Sequence, residues 1–300
     1  MRPTFLILGA MKAGTTALYR LLGTHPDVFM SPVKEPNFFA FAERDLNFQA
    51  PLDRRAEGIN HTSITDWVKY QRLFADADPA QARGEASHTS LYWPDAAQNI
   101  HRYVPQARLI VILRNPVERA FSEYMHFRRD GEEPIECFEA ALEAESDRIE
   151  RNWAFGRYLD RGHYDEQLQR YFDRFPREQI RIVLHEDLCR QESHVLRDLW
   201  KHIGVDPDID VERGRRVNKS GVPKSRWVHQ FLSGLQPVKE TLAPIIPSMV
   251  VDWAVRLKNR NLEKPKMRPR VRRRLVSHFR PHVRRLEDMI GRDLSSWLDN

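Results

Sequence analysis

The sequence predicts an α/β fold, a central parallel sheet flanked by helices with a helical C-terminal part, on three observations. Apolar, β-branched runs of strand length occur at Thr4 to Leu8, Arg108 to Leu113 and Gln179 to Leu184. Each is followed by a helical pattern, the alternation that builds parallel sheets. Between the first strand and the first helix lies a glycine-bearing turn, Gly9 to Thr16, which makes the sheet P-loop-like. With 300 residues, 41% of them hydrophobic, the chain holds apolar material for one sizeable core, and a single domain over residues 1–300 is expected.

The first helix is expected from Thr15 to Gly23, with Ala17, Leu18, Leu21 and Leu22 at helical spacing and Gly23 closing it. Thr62 or Ser63 is the expected N-cap of a helix near Asp66 to Phe74, and Phe41 to Ser63 reads as a loop. Pro116 suits a first helical position, so Val117 to Arg129 is read as helix with Arg119, Ser122, Glu123 and His126 available to one side. Helices are also expected over Phe138 to Ile149, Tyr164 to Phe175 and His194 to Ile203, the last ended by Gly204. The resulting parts are an α/β core over 1–204, a polar loop over 205–226 and a helical part over 227–300.

Lys plus Arg number 48 against 42 Asp plus Glu, a formal net charge of +6 with a pI near 9.4, which favours anionic partners. The basic run from Lys264 to Arg274 reads first as a solvated helix face. No apolar run reaches the roughly 18 residues of a spanning helix, so no membrane span is expected, while peripheral contact stays open. Cys137 and Cys189 stand in no metal-like spacing, which removes disulfide and zinc scaffolds and fits a reducing cytoplasm.

Chemistry concentrates in Gly9-Ala10-Met11-Lys12-Ala13-Gly14-Thr15-Thr16. A turn entering a helix N-terminus offers backbone N–H groups and a positive dipole end to phosphate-like oxygens. Its spacing approaches the nucleotide pattern G-x-x-x-x-G-K-[ST], with Thr15 where the lysine should be and the lysine earlier, at Lys12. The second strand ends Leu113-Arg114-Asn115-Pro116, with an arginine where an NTPase would hold magnesium through an acid. Cations in place of metal ligands suit sulfuryl transfer from a donor less charged than a triphosphate, and no metal is expected for it.

The segment FLILGAMKAGTTALYRLLGTHPDVFMSPVKEPNFF, Phe5 to Phe39, resembles the opening of sulfotransferases that use 3′-phosphoadenosine 5′-phosphosulfate (PAPS), in the branch of heparan sulfate and bacterial carbohydrate enzymes. RLIVILRNPVERAFSEY, Arg108 to Tyr124, resembles that family's 3′-phosphate site, and RGHYDEQL with the closing Gly291-Arg292-Asp293-Leu294 and Trp297 extends the likeness over nearly the whole chain. The resemblance implies PAPS as donor and adenosine 3′,5′-bisphosphate (PAP) as product. It assigns Lys12 to the 5′-phosphosulfate and the leaving oxygen, with Ala13, Gly14, Thr15 and Thr16 as further donors to the same groups. Arg114 and Ser122 take the 3′-phosphate. One or more of Lys219, Lys224 and Arg226 close over the cofactor. Glu35 matches the general base, and Phe38 and Phe39 are placed to give its carboxylate an apolar setting.

His25 reads as structural. His88 is a second candidate base, because imidazole titrates near neutrality. Animal members usually carry a lysine where Ala86 stands, a departure that argues against a highly sulfated glycosaminoglycan acceptor. The acceptor class stays open among glycan, glycolipid and small molecule, with a hydroxyl or an amine receiving the group, and so does the oligomeric state. The competing readings are a P-loop nucleotide kinase or NTPase, disfavoured by Thr15 and Arg114, and a basic nucleic-acid-binding module, which would need neither the loop nor a second anion site. No nucleic-acid partner is therefore expected.

Overall fold

A computed structural model describes residues 1–50, 53–209, 222–223, 262–263 and 266–299. Five parallel strands, β1 (Phe5–Ile7), β2 (Val28–Met30), β3 (Ala82–Ala86), β4 (Arg108–Leu113) and β5 (Ile180–Leu184), form one sheet in the order β2-β3-β1-β4-β5. The fully buried run Leu109 to Leu113 makes β4 the centre of the core, because a strand covered on both faces needs apolar residues at every position. A two-residue antiparallel pair, β6 (Val222–Pro223) with β7 (Leu262–Glu263), lies outside this sheet.

The helices in chain order are α1 (Thr15–Leu22), α2 (Phe38–Phe41), α3 (Asp53–Thr62), α4 (Trp67–Arg72), α5 (Thr89–Tyr92), α6 (Ala96–Tyr103), α7 (Pro116–Asp130), α8 (Phe138–Glu143), α9 (Glu145–Glu150), α10 (Tyr164–Phe172), α11 (His185–Arg190), α12 (Glu192–Ile203) and α13 (Pro269–Ile290). Asn115 caps α7 with its side-chain oxygen on the N–H groups of Val117 (2.9 Å) and Glu118 (3.3 Å), and Pro116 opens it as expected. Gly204 ends α12 in the left-handed conformation, φ 84°. None of the helices among the described residues is long and apolar enough to cross a membrane.

Several expectations need correction. The expected loop from Phe41 to Ser63 contains α3, whose last residue is Thr62, so neither Thr62 nor Ser63 caps the next helix. Asp66 does, accepting from the Lys69 N–H at 2.7 Å. The helix expected over Phe138 to Ile149 breaks between α8 and α9, where Glu145 turns inward to accept from the backbone N–H groups of Leu159 (2.7 Å) and Asp160 (2.8 Å). The third predicted strand starts at Ile180, because Arg177–Gln179 forms a 3-10 turn. Helix α10 stops at Phe172 rather than Phe175, and α12 starts two residues earlier than expected, at Glu192. Strands β2 and β3 have no counterpart among the expected strands. The helical pattern expected from Trp227 onward is met by α13; the rest of 227–265, save β7, lies outside the described residues.

The basic run meets acids rather than solvent alone: Arg272 pairs with Glu118 on α7 at 2.5 Å, and Arg274 with Glu143 on α8 at 3.0 Å. These half-exposed pairs orient α13 and contribute little stability each. His25 is structural as expected, its Nε2 2.9 Å from the Asp206 carbonyl and its Nδ1 accepting from the Asp27 N–H at 3.0 Å. Cys137 and Cys189 are free and exposed.

One glycine sets the fit of the sheet. Gly84 pairs in register with Phe5, and a Cβ on it would stand 2.1 Å from the Phe5 ring, which is fully buried. Gly84→Ala should therefore destabilise the fold by about 1–3 kcal/mol, the usual range for overpacking a core. In thermal unfolding, Phe5→Leu should lower the melting temperature alone yet restore part of it in the Gly84→Ala background; simple addition of the two losses would refute this account.

Candidate active site

The carboxyl edge of the sheet gathers the candidate residues, the edge at which open parallel sheets bind ligands. Pairing between β1 and β4 continues past the last strand residue: Leu8 N–H donates to Ile110 O (2.9 Å), Ala10 N–H to Ile112 O (2.6 Å), and Ile112 N–H to Gly9 O (2.7 Å). The loop therefore starts pinned to β4. Gly9 is required there, since at φ 144° a Cβ would meet the Leu91 Cβ at 2.9 Å. Gly14 caps α1 at φ 109° and has no side chain to turn back on the first helical N–H groups, those of Thr15 and Thr16 among them, whereas the Ala13 N–H, expected as a further donor, is bonded to the Ala10 carbonyl at 3.1 Å.

Lys12 sits in this loop with left-handed backbone, φ 63°. Such a conformation costs a non-glycine residue roughly 1–3 kcal/mol and persists where the surrounding structure over-determines it. Burial, then the charge of Arg129, lowers its pKa to about 8, against the opposing pull of Asp130 and Glu123. Arg114, ending β4, donates from Nη1 to the Lys12 carbonyl at 3.2 Å, and its own carbonyl accepts from the Tyr164 hydroxyl at 3.1 Å. The nearby acids of α7, Glu118 and Glu123, are engaged by other arginines. Glu118 holds Arg272, and the fully buried Glu123 holds Arg119 at 2.5 Å. Ser122 lies half-buried on α7, the helix into which Arg114 leads.

A second group forms at the ends of β2 and β3. Chain pairing again continues beyond the strands, with the Ser31 N–H on Gly84 O (2.8 Å) and the Glu35 N–H on Ala86 O (3.0 Å). Glu35 also takes left-handed backbone, φ 62°. One carboxylate oxygen is bonded by Lys34 Nζ and the other lies 3.5 Å from His88 Nε2. Phe38 and Phe39 are fully buried in an aromatic cluster with Tyr70, Phe38 stacking on Tyr70 with ring centroids 4.8 Å apart. The structure thus joins Glu35 and His88, two candidates that the sequence left as alternatives.

Behind them Glu85 is fully buried, and burial pushes its pKa up to about 8 although Ser87 Oγ donates to it at 2.7 Å. Ser87 Oγ accepts the Asn37 N–H (3.1 Å), and Thr89 donates to the Asn37 side-chain oxygen (2.7 Å), so this network holds the chain just after Glu35. Ala86 is buried in β3.

Sequence reasoning missed four contributors. His185, opening α11 directly after β5, packs on Gly14, where a Cβ would touch its ring at 3.3 Å. Burial and Arg114 lower its pKa, so it stands neutral beside the loop. Its position at a strand's carboxyl end was the available signal. Arg129 and Asp130 act on Lys12 from the last turn of α7, where Arg129 Nη2 meets His126 Nδ1 at 2.7 Å; the helical spacing Ser122, His126, Arg129 was legible. Arg161 is buried, lies 3.8 Å from Glu123 and reaches Met11 Sδ at 3.4 Å, bracing the loop from below. Lys219, Lys224 and Arg226 lie outside the described residues.

Comparison with known proteins gives this edge a context. A sulfotransferase from Alicyclobacillus acidocaldarius superposes over 100% of both chains with a TM-score of 0.77 and 34% identity. The bifunctional heparan sulfate N-deacetylase/N-sulfotransferase 1 of Xenopus laevis is 28% identical over 239 residues, 77% of this chain and 25% of its own length. Carbohydrate sulfotransferase 15 of Rattus norvegicus is 24% identical over 287 residues, 82% of this chain and 49% of its own. The chain thus spans about a quarter of the first relative and about half of the second. The family model described as the sulfotransferase family matches residues 3–209, from just before β1 to just past α12, and the chain belongs to that family.

Proposed function

We propose that this sulfotransferase moves a sulfuryl group in line from PAPS to a hydroxyl or amine of a carbohydrate or glycolipid acceptor, releasing PAP. The observation that carries the reading is the lock of Arg114 on the Lys12 carbonyl, which sets two cations for two separate anionic groups of one donor. The 5′-phosphosulfate lies in the cradle from Gly9 to Thr16. Arg114 and Ser122 receive the 3′-phosphate, a task suited to a planar guanidinium. As the sulfur–oxygen bond to the 5′-phosphate breaks, charge grows on the bridging oxygen, and the Lys12 ammonium stabilises it there. Glu35 takes the acceptor proton, with His88 beside its second oxygen to share it. The animal relatives' names support a glycan acceptor. The decisive experiment is a screen of glycan, glycolipid and small-alcohol acceptors with donor labelled in the sulfuryl group; transfer to none of them would overturn the acceptor class.

Three outcomes are expected. PAP should stabilise the native protein by about 2.7 kcal/mol at a hundred times its dissociation constant, and ATP far less. Equal thermal shifts from the two nucleotides would contradict the 3′-phosphate site at Arg114 and Ser122.

Because the free Lys12 amine titrates at about 8 and only its ammonium form binds anions well, PAP affinity should fall as pH rises through 8. Calorimetry on Lys12→Ala should show weaker binding without that decline; an unchanged pH profile in the variant would assign it to another group.

Glu35→Gln should leave PAP affinity within a few-fold and lower turnover by roughly 10²–10⁴, the range for a lost general base. His88→Ala should lower turnover less. The reverse ranking, measured with the acceptor found in the screen, would transfer the role of base to His88.

A further inference from the structure

Away from the loop, three imidazoles meet where α10 packs on α13. His278 and His282 are four residues apart on α13 and share one face, His163 immediately precedes α10, and Glu166 follows in its first turn. His163 Nε2 lies 3.0 Å from His278 Nε2, and the rings of His163 and His282 stack with centroids 4.0 Å apart at 15°. Ligand-capable atoms of His163, Glu166 and His282 all lie within 4.8 Å of one another.

The surroundings favour a cation. His282 Nδ1 meets the buried carboxylate of Asp165 at 2.9 and 3.2 Å, which directs the other ring nitrogen outward as an electron-pair donor, the arrangement that outer carboxylates give to metal-binding histidines. Arg285 Nη2 stands 3.0 Å away on that same Nδ1 side, and its charge is balanced by Asp165, to which its Nε donates at 2.7 Å. Nitrogens bound to one tetrahedral ion at 2.0–2.1 Å stand roughly 3.3 Å apart, close to the spacing of His163 and His278.

We propose that His163, His278 and His282, with Glu166 as the exposed fourth donor, bind a divalent transition-metal ion of the imidazole-preferring class, zinc foremost, and that the ion clamps α13 to α10. The site stands apart from the transfer chemistry. Its route to the donor site is short nonetheless, since Tyr164, next to His163, bonds the Arg114 carbonyl.

The test is calorimetric titration of untagged, chelator-stripped protein with Zn²⁺, alongside thermal unfolding with and without the ion. About one ion per chain should bind, the melting temperature should rise, and His278→Gln and Glu166→Gln, both at exposed positions, should each weaken binding at least tenfold while PAP binding is kept. His282→Gln should remove binding; where that variant unfolds, the double variant His278→Gln/Glu166→Gln gives the same information. Absence of binding at millimolar Zn²⁺, or unchanged affinity in the double variant, overturns the proposal.

Discussion

The register of β1 on β4 is the constraint on which the rest of the site depends. Hydrogen bonds that run on through Leu8, Gly9 and Ala10 fix the start of the loop to β4, the strand that leads into Arg114. A slip by one residue would reverse every side chain and part Lys12 from Arg114. Burial of Leu109 to Leu113 on both faces forbids that slip energetically, since it would push apolar side chains out of a closed core. The chemistry of the loop is therefore specified by the packing of a strand with no functional group of its own.

The same device recurs one strand pair away. Glu35 owes its place to pairing of the chain after β2 with β3, and to the Ser87, Asn37 and Thr89 network around a carboxyl group that burial keeps protonated at neutral pH. The two clusters of the edge are thus mounted on different strands. Substitutions in one strand pair therefore leave the register of the other in place.

Much of this was legible in the chain, and what was not has physical causes. Strands β1 and β4 announce themselves because burial on both faces demands unbroken apolar runs, and β5 does so through Ile180, Ile182, Val183 and Leu184 although Arg181 is exposed at the sheet edge. Strand β3, Ala-Arg-Gly-Glu-Ala, conceals itself: its glycine makes room for Phe5 and its glutamate is a buried, neutral group that reads as a surface acid. Strand β2 has three residues, too few for a period. Lys12, Arg114 and Glu35 stand out in the sequence because motif and chemistry agree at each, whereas Arg129, Asp130 and Arg161 lie near the loop from segments far along the chain. Phe38 and Phe39 follow Glu35 in sequence, and α2 turns both rings into the core.

Asn115 uses both ends of its amide. The oxygen caps α7, and Nδ2 donates to the Trp297 carbonyl at 3.1 Å, while the Trp297 indole donates to Glu186 at 2.6 Å. Phe279 of α13 occupies the space left open by Gly162, where a Cβ would stand 2.4 Å from its ring. A ribosome makes these partners well after the sheet. During synthesis the strands leave the tunnel while the residues that seat Asn115 and fill the gap at Gly162 are still untranslated, so a nascent chain can hold most of its sheet and yet lack the contacts that set the turn from Arg114 into α7. Completion of that turn thereby waits on the emergence of α13 and the residues beyond it.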